Sequence, residues 1–561
     1  MTDGWPPPRS PGAETLHGTE AARSSGFTGN RTRDLGLGLL SLLVLLQPLL
    51  FQTALFMNLS SGDEGVLLAG ARRVLHGQIP YRDFFAQHTP GAFFIAAAAF
   101  HLLGSSLRVA RLLAWFCHVL TVLTTLRMLS LLGFSRFRAL LALLASFSFG
   151  FSYWPILSHH WLGNCAALMS ALCLLQAGRG AHWTRAAAAG VCASACCLFL
   201  QDQGAYWLIC AFLSIMLGAP VPRGRLALTF LLGFVGLSLP ALLPMALAVS
   251  PAEIFRQTVL FPLRTYPLHP SNHPYLTEGI LEKDWSWLTR SDVPFSLQSL
   301  YICAGTAGEV FVVLSFPIAI LLLLFNLRSK RRNPPEAWNA SVLLALTVAL
   351  GAMALHRPNI VNLVFAFSGP LLACLGLPTP SVGFLGSARF KGILSVALVV
   401  LLGLPGIIQS LLLLKRPLNH FSFPGGQVSV VLQAEEPTVR MLSMFPERLL
   451  RKGQTVFCYD YSSLWYFLLD LDNPTPFDNF SAERYSPPLV ARLLDILRRS
   501  PPDWIILDGR YGNPEADAVA NWFIQSGYRV RARTANMVIA SRPHDDGGRL
   551  PASSNGAPER K

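Results

Sequence analysis

The stretch "SSGDEGVLLAGARRVLHGQIPYRDFFAQHTPG" spans Ser60–Gly91 and follows closely on an apolar run, 35–57, that contains no charge. The stretch holds three acids, three arginines and two histidines, in a chain of which only 14% of the residues are charged. Run 35–57 is too long for the core of a signal peptide, and it predicts an uncleaved membrane span. The ionisable groups beside that span are the first candidates for a functional site.

The composition predicts a membrane protein. The chain has 561 residues, 52% of them hydrophobic, and a mean hydropathy of +0.43, whereas soluble domains carry about 25% charged residues. Runs long enough to cross a bilayer recur along 35–414, which predicts a polytopic α-helical membrane protein of about eleven spans. The predicted spans are 35–57, 112–132, 139–157, 160–178, 186–201, 204–219, 226–249, 310–327, 338–355, 360–380 and 392–414.

The basic loops give an orientation. Under strict alternation the arginine- and lysine-rich connections fall on one side, which the positive-inside rule makes cytoplasmic. The loops 58–91 and 250–309 and everything after residue 414 then face outward. Stretch 92–104 is apolar but short, so we expect it to be interfacial or re-entrant; the alternative is a miscounted helix between 91 and 160.

The termini and the C-terminal region differ in character from the membrane part. Residues 1–34 and 546–561 read as disordered tails, the first of them cytoplasmic. Within 415–545, "QTVFCYD" and "DWIILDG" predict buried strands, 461–470 and 515–526 predict helices, and "YRVRARTANMVIAS" predicts a further strand or hairpin. A small extracytoplasmic α/β domain follows. The net charge of +14 fits short cytoplasmic loops and anionic lipid, and we expect no nucleic-acid partner.

Glu64 to His76 has apolar residues at helical spacing and predicts an amphipathic helix at the membrane surface. Ser61 and Glu64 form an S-x-x-E capping box, so one interpretation is that Glu64 satisfies a free backbone amide and Asp63 favours the positive helix end. The other is catalytic. A carboxylate near several guanidinium groups serves a lipid phosphate and a proton transfer together.

The order of apolar span, Asp63-Glu64-Gly65, amphipathic helix and "GQIPYRDFFAQHTPG" (77–91) resembles the C-type (GT-C) membrane glycosyltransferases, which take sugar from a polyprenyl phosphate. The likeness is greatest to the bacterial branch related to protein O-mannosyltransferases and the lipid A aminoarabinose transferase, and it extends over 35–545. The resemblance implies an inverting glycosyltransferase that acts on the extracytoplasmic face of the bacterial inner membrane. Its acceptor would be a lipid, a glycan or a protein.

The resemblance also implies roles for residues. Asp63 would be the catalytic base, and Glu64 would assist it or cap the helix. The expected donor-phosphate ligands are Arg72, Arg82, Arg111 and Arg357, and the expected substrate-binding residues are Tyr81, Asp83, His88 and Asp202.

Two motifs depart from the family pattern. "QDQG" (201–204) stands where many relatives have a Lys-Gln turn, and "HRPNIVNL" (356–363) has asparagines in place of an acid and a histidine. No CxxC or other metal motif occurs, so no cofactor is expected, although a divalent metal is left open. The alternative function is a lipid-linked saccharide flippase, which would instead need polar or broken helices at the bilayer centre.

Overall fold

A computed structural model describes the chain over residues 62–133, 156–180, 182–265, 313–328, 334–356, 366, 370, 419–430, 436–459, 463–480, 485–508, 518–535 and 537–543. The tails 1–34 and 546–561, the predicted spans 35–57, 360–380 and 392–414, and nearly all of 139–157 lie outside the described residues or have only isolated residues within them.

The membrane part is built from helices that alternate with short turns. Three of the described helices are long and apolar enough to cross a bilayer: Leu107–Leu131, Arg223–Ala248 and Pro334–Met353. The helices and one π-helical turn, in chain order, are α1 Gly62–Leu75, α2 Gly91–Leu103, α3 Leu107–Leu131, α4 His159–Ala177, α5 Trp183–Phe199, α6 Gln201–Gly218, α7 Arg223–Ala248, α8 Pro251–Phe255, the π turn Arg256–Leu260, α9 Phe261–Thr265, α10 Val313–Arg328 and α11 Pro334–His356.

The predicted amphipathic helix and seven predicted spans coincide with helices of the structure. Helix α1 covers the amphipathic stretch, and α3 to α7, α10 and α11 cover the spans from 112–132 to 338–355 that the structure describes. Helix α2 occupies the short apolar stretch. With 13 residues it is about 20 Å long, which is less than the roughly 30 Å hydrocarbon core.

Small residues set the contact between α5 and α7. A Cβ atom at Gly190 would collide with the backbone of Phe230, and one at Gly233 would collide with the backbone of Ala187. Ser194 and Ser238 share a hydrogen bond of 2.7 Å across the same contact. Such small and hydroxylated residues let apolar helices approach closely in lipid, where apolar burial gives no driving force.

The C-terminal region contains a four-stranded sheet with the strand order β3 (Val456–Tyr459), β4 (Trp504–Asp508), β6 (Met537–Ser541), β5 (Arg529–Arg533). Strands β3 and β4 are parallel, and the other pairs are antiparallel. Strands β3 and β4 are apolar runs of the sequence, and every residue of the edge strand β3 is buried. The elements are β1 Asn419–Phe423, β2 Gly426–Val430, α12 Glu436–Arg448, β3 Val456–Tyr459, α13 Ser463–Leu468, α14 Pro487–Arg499, β4 Trp504–Asp508, α15 Ala518–Gln525, β5 Arg529–Arg533 and β6 Met537–Ser541.

Two arginines at the end of α1 bind the C-terminal region. Arg72 pairs with Asp470 at 2.5 Å and donates to the Leu471 carbonyl at 2.7 Å. Arg73 donates two hydrogen bonds to Asp478, of 2.7 and 2.9 Å, and one of 2.8 Å to the carbonyl of Thr475. Arg72 is therefore bound to the C-terminal region, so this geometry does not support its predicted role as a donor-phosphate ligand.

We predict that Arg73→Met lowers the free energy of unfolding by about 3 kcal/mol, because it leaves the buried Asp478 carboxylate without its cation. Arg499→Met is the matched control. Arg499 also pairs with an aspartate, Asp495, but its side chain is 77% exposed, and such pairs contribute less than about 1 kcal/mol. Denaturant unfolding of the purified full chain measures both. Equal losses in the two variants would contradict the structural role of Arg73.

Candidate functional site

A buried ion pair fixes the first turn of α1. Glu64 is 0% exposed, and its Oε2 accepts a hydrogen bond of 2.6 Å from Nη2 of Arg111, a residue of α3 that is 3% exposed. Its Oε1 accepts from the backbone N–H of Leu157 at 3.1 Å. The single carboxylate thus joins α1, α3 and the chain just before α4. Short charge-assisted hydrogen bonds such as the one between Arg111 and Glu64 are among the strongest in proteins.

The described partners of Glu64 lie in other elements and not at the start of α1. Both of its oxygens point into the helix bundle, because Arg111 and the Leu157 amide lie there. Burial raises the pKa of Glu64 above its ordinary value, and the Arg111 charge and the Leu157 amide oppose that rise. Since neither side chain reaches the surface, this geometry does not support the predicted catalytic role of Glu64 or the predicted phosphate-binding role of Arg111. Both residues position the helix instead.

Asp63 directly precedes Glu64 in the first turn of α1; its side chain lies outside what the structure describes. The backbone of that turn is held on two sides. Glu64 ties it to α3, and Gly65 lies so close to α13 that a Cβ atom there would collide with the backbone of Leu464 and the hydroxyl of Ser463. The helix N-terminus also favours a negative charge at this position.

The segment 76–90, here named the Tyr81 loop, follows α1. Tyr81 adopts φ of +68°, a left-handed conformation that is costly for an aromatic residue. Its N–H donates to the Phe84 carbonyl and its hydroxyl to the His88 carbonyl, both at 2.8 Å. Burial raises the pKa of the Tyr81 hydroxyl, so the hydroxyl remains a hydrogen-bond donor that braces the loop from within.

Arg82 and Asp83 form an exposed pair on this loop. Arg82 Nη2 lies 2.9 Å from Asp83 Oδ2, and the arginine side chain is 51% exposed. The Arg82 hydrogen bond lowers the pKa of Asp83, although partial burial acts in the opposite direction. A less basic carboxylate is a poor general base. Among the predicted phosphate ligands that the structure describes, Arg82 is the one with an exposed guanidinium; Arg357 lies outside the described residues.

His88 and Asp202 lie where the loop meets other helices. The His88 ring is 4.6 Å from the ring of His159, the first residue of α4, measured between centroids. Asp202 lies in the first turn of α6, where its Oδ1 accepts from the N–H of Gln203 at 2.8 Å. The loop, the starts of α4 and α6 and the C-terminal region therefore gather at one end of the bundle. The Tyr81 loop and the C-terminal region were both predicted to face outward.

Sequence reasoning missed three residues that shape this site. Gln201 and Gln257 hydrogen-bond to the backbone of the Tyr81 loop, and Asp478 binds Arg73. The sequence offered one signal, the unusual "QDQG" turn that contains Gln201. In the described part of the chain no group of three or more His, Cys, Asp or Glu side chains gathers as a metal site.

We predict that Glu64→Gln and Arg111→Met each lower the free energy of unfolding by about 3 to 5 kcal/mol, because each leaves one buried charge without its partner. The double variant Glu64→Gln/Arg111→Met contains neither charge and keeps an acceptor for the Leu157 amide. It should therefore be more stable than either single variant. Thermal or denaturant unfolding of the four proteins measures this cycle, and simple additivity of the two losses would show that the residues do not interact.

No protein-family profile matches the sequence, and no curated protein sequence matches it. The fold has relatives among solved structures. The apo structure of ArnT from Cupriavidus metallidurans matches with a TM-score of 0.53 at 13% identity, over 91% of this chain and 98% of that one. The Archaeoglobus fulgidus oligosaccharyltransferase in complex with Zn and sulfate matches with a TM-score of 0.51 at 12% identity, over 90% of this chain and 73% of that one.

These likenesses extend over nine-tenths of the chain, so they cover the membrane helices together with the C-terminal region. Identities this low establish the fold. The resemblance read from the Asp63 motif and the Tyr81 loop is thereby confirmed at the level of architecture: the chain has the fold of the GT-C membrane glycosyltransferases.

Proposed function

We propose that this protein is an inverting glycosyltransferase that moves a sugar from a polyprenyl-phosphate carrier to an acceptor hydroxyl at the outward membrane face. One observation carries the proposal. The turn that contains Asp63 and the Tyr81 loop that contains Arg82 and His88 lie at the same end of the helix bundle, in the fold of membrane glycosyltransferases.

The proposed donor is a lipid-linked sugar. ArnT from Cupriavidus metallidurans, whose apo structure shares this fold, has itself also been solved bound to undecaprenyl phosphate. In this chain Arg82 offers a half-exposed guanidinium beside α1, and guanidinium binds phosphate oxygens in a bidentate manner. Polyprenyl tails enter from the bilayer, so a donor of this class suits a site at the end of the helix bundle, beside the membrane boundary.

The proposed reaction breaks one bond and forms one. The acceptor oxygen attacks the anomeric carbon of the sugar as the bond from that carbon to the phosphate oxygen breaks, with inversion of configuration. Asp63 accepts the proton that the acceptor hydroxyl loses. The phosphate leaves with the bonding electrons, and Arg82 stabilises its added negative charge. Asp83, whose carboxylate pairs with Arg82, orients that guanidinium.

The acceptor is a lipid, a glycan or a protein of the cell envelope, and the proposed location is the bacterial inner membrane. The proposal assigns no resident cofactor to the reaction. Incubating the purified full chain with a panel of polyprenyl-phosphate sugars and candidate acceptors, with and without EDTA, tests these points together. Mass spectrometry then identifies any glycosylated product, and a loss of product in EDTA would reveal a metal requirement.

We predict that Asp63→Asn lowers the rate of sugar transfer by about 10²- to 10⁴-fold, the range that general-base catalysis contributes. The unfolding midpoint of the variant should match that of the parent. Asp495→Asn, which changes an exposed aspartate of the C-terminal region, is the control and should retain full activity. Undiminished transfer by Asp63→Asn would refute its role, and movement of the lipid carrier across vesicles without sugar transfer would favour the flippase.

A further inference from the structure

Two glutamines, Gln257, which is buried, and Gln201, which is half-buried, bind the irregular backbone of the Tyr81 loop. Gln257 lies in the π turn, and its Oε1 accepts from the N–H of Ala86 at 2.9 Å. Its Nε2 donates to the carbonyl of Tyr81 at 3.1 Å and to Glu253 Oε1 at 2.5 Å. The side chain therefore satisfies one donor and one acceptor of the loop and is itself fully hydrogen-bonded.

Gln201 makes the equivalent set of contacts from the start of α6. Its Oε1 accepts from the N–H of Thr89 at 3.1 Å, and its Nε2 donates to the Gln87 carbonyl at 2.8 Å. The same Nε2 also donates to the carbonyl of Thr258 at 3.0 Å, in the π turn that contains Gln257. The two glutamines are therefore linked, and together they are named the glutamine clamp.

Only a side-chain amide suits this arrangement. Backbone N–H and C=O groups in a segment that is neither helix nor strand need other partners when they are buried. A carboxamide supplies two donors and an acceptor oxygen, whereas a carboxylate only accepts and an ammonium group only donates. Each glutamine therefore satisfies both kinds of backbone group at once, which explains why an amide stands at each position.

The clamp encloses the residues assigned to the donor. Arg82, Asp83 and His88 all lie between the loop groups that Gln257 and Gln201 bind. The left-handed Tyr81 precedes Arg82 directly, and Gln257 holds the Tyr81 carbonyl. Because a strained residue keeps its conformation only when its surroundings hold it, the direction of Arg82 depends on Gln257.

We propose that Gln201 and Gln257 are positioning residues of the donor site, which hold the Tyr81 loop in register with α6 and with the segment Pro251–Thr265. The assignment to a donor site rests on the proposed function, whereas the structural role of the clamp can be tested without any substrate. A displacement of the segment Pro251–Thr265 would move Gln257 and Thr258 together and would carry the Tyr81 loop with it.

Hydrogen–deuterium exchange of the full chain in lipid nanodiscs tests the clamp. In Gln257→Met the amide of Ala86 should exchange about tenfold faster than in the parent, and in Gln201→Met the amide of Thr89 should do so, because each has lost its acceptor. Gln201→Glu keeps the size of the side chain but places a carboxylate oxygen against the carbonyls of Gln87 and Thr258, so Thr89 should exchange faster than in the parent here too, which separates loss of the amide donor from loss of packing.

Gln454→Met is the matched control. It removes a glutamine that accepts from Arg451 and Trp504 within the C-terminal region, so it should change exchange at neither Ala86 nor Thr89. Unchanged exchange at both amides in the Gln201 and Gln257 variants would overturn the clamp.

Sugar transfer from an undecaprenyl-phosphate sugar that the parent turns over tests the link to the donor. Gln257→Met should lower kcat/KM for the donor about tenfold or more, with the KM for the acceptor unchanged and the variant still folded. Accelerated exchange with unchanged kinetics would overturn the positioning role. Absence of transfer by the parent itself, with accelerated exchange in the variants, would overturn the proposed function and leave a clamp that has no donor to position.

Discussion

The buried pair between Glu64 and Arg111 is the constraint on which the site depends. Taking two charges out of water is costly, and the cost is offset only when geometry is good and the remaining lone pairs are satisfied. Here the Leu157 amide takes the second carboxylate oxygen. Since Glu64 follows Asp63 directly, the pair fixes the first turn of α1 and with it the backbone position of the proposed base. An apolar contact would hold the helix without specifying its rotation to the same degree.

The C-terminal region is part of the site's support. Phe85 of the Tyr81 loop contacts the rings of Phe261, Phe477 and Tyr485, at centroid separations of 4.9, 5.6 and 6.4 Å. Its N–H donates to the Pro476 carbonyl at 2.8 Å. One aromatic cluster therefore joins the first loop, the segment after α7 and the C-terminal region. Together with the arginines of α1, it makes this end of the bundle a single packed unit.

Local patterns in the sequence predicted local structure well. Helical spacing of apolar residues located α1, and continuous apolar runs located β3 and β4, because side-chain periodicity and burial are properties of neighbouring residues. The same patterns could not assign partners. The capping box explained Glu64 with residues three positions away, whereas its actual partner, Arg111, is 47 positions along the chain. A local motif and a distant ion pair compete for the same carboxylate, and only the tertiary fold decides between them.

The candidate site shows the same contrast between local patterns, which the sequence reveals, and distant partners, which it does not. Arg82 and Asp83 were singled out because charge in an apolar chain is conspicuous, and the structure leaves the Arg82 side chain exposed. Arg72, equally conspicuous, binds residues about 400 positions away, because a helical pattern shows which face is polar but not which domain covers it. Gln257 was missed because the segment 250–309 was predicted as a loop, and a neutral amide in a loop carries no pattern of its own.

A cryo-EM structure of the Asp63→Asn variant with a bound polyprenyl-phosphate sugar would show directly whether the donor binds at the first turn of α1. We expect the anomeric carbon to lie beside residue 63, the phosphate to contact Arg82 on the Tyr81 loop, and Glu64 to remain paired with Arg111. A phosphate bound elsewhere in the bundle, remote from the first turn of α1, would contradict this placement of the donor.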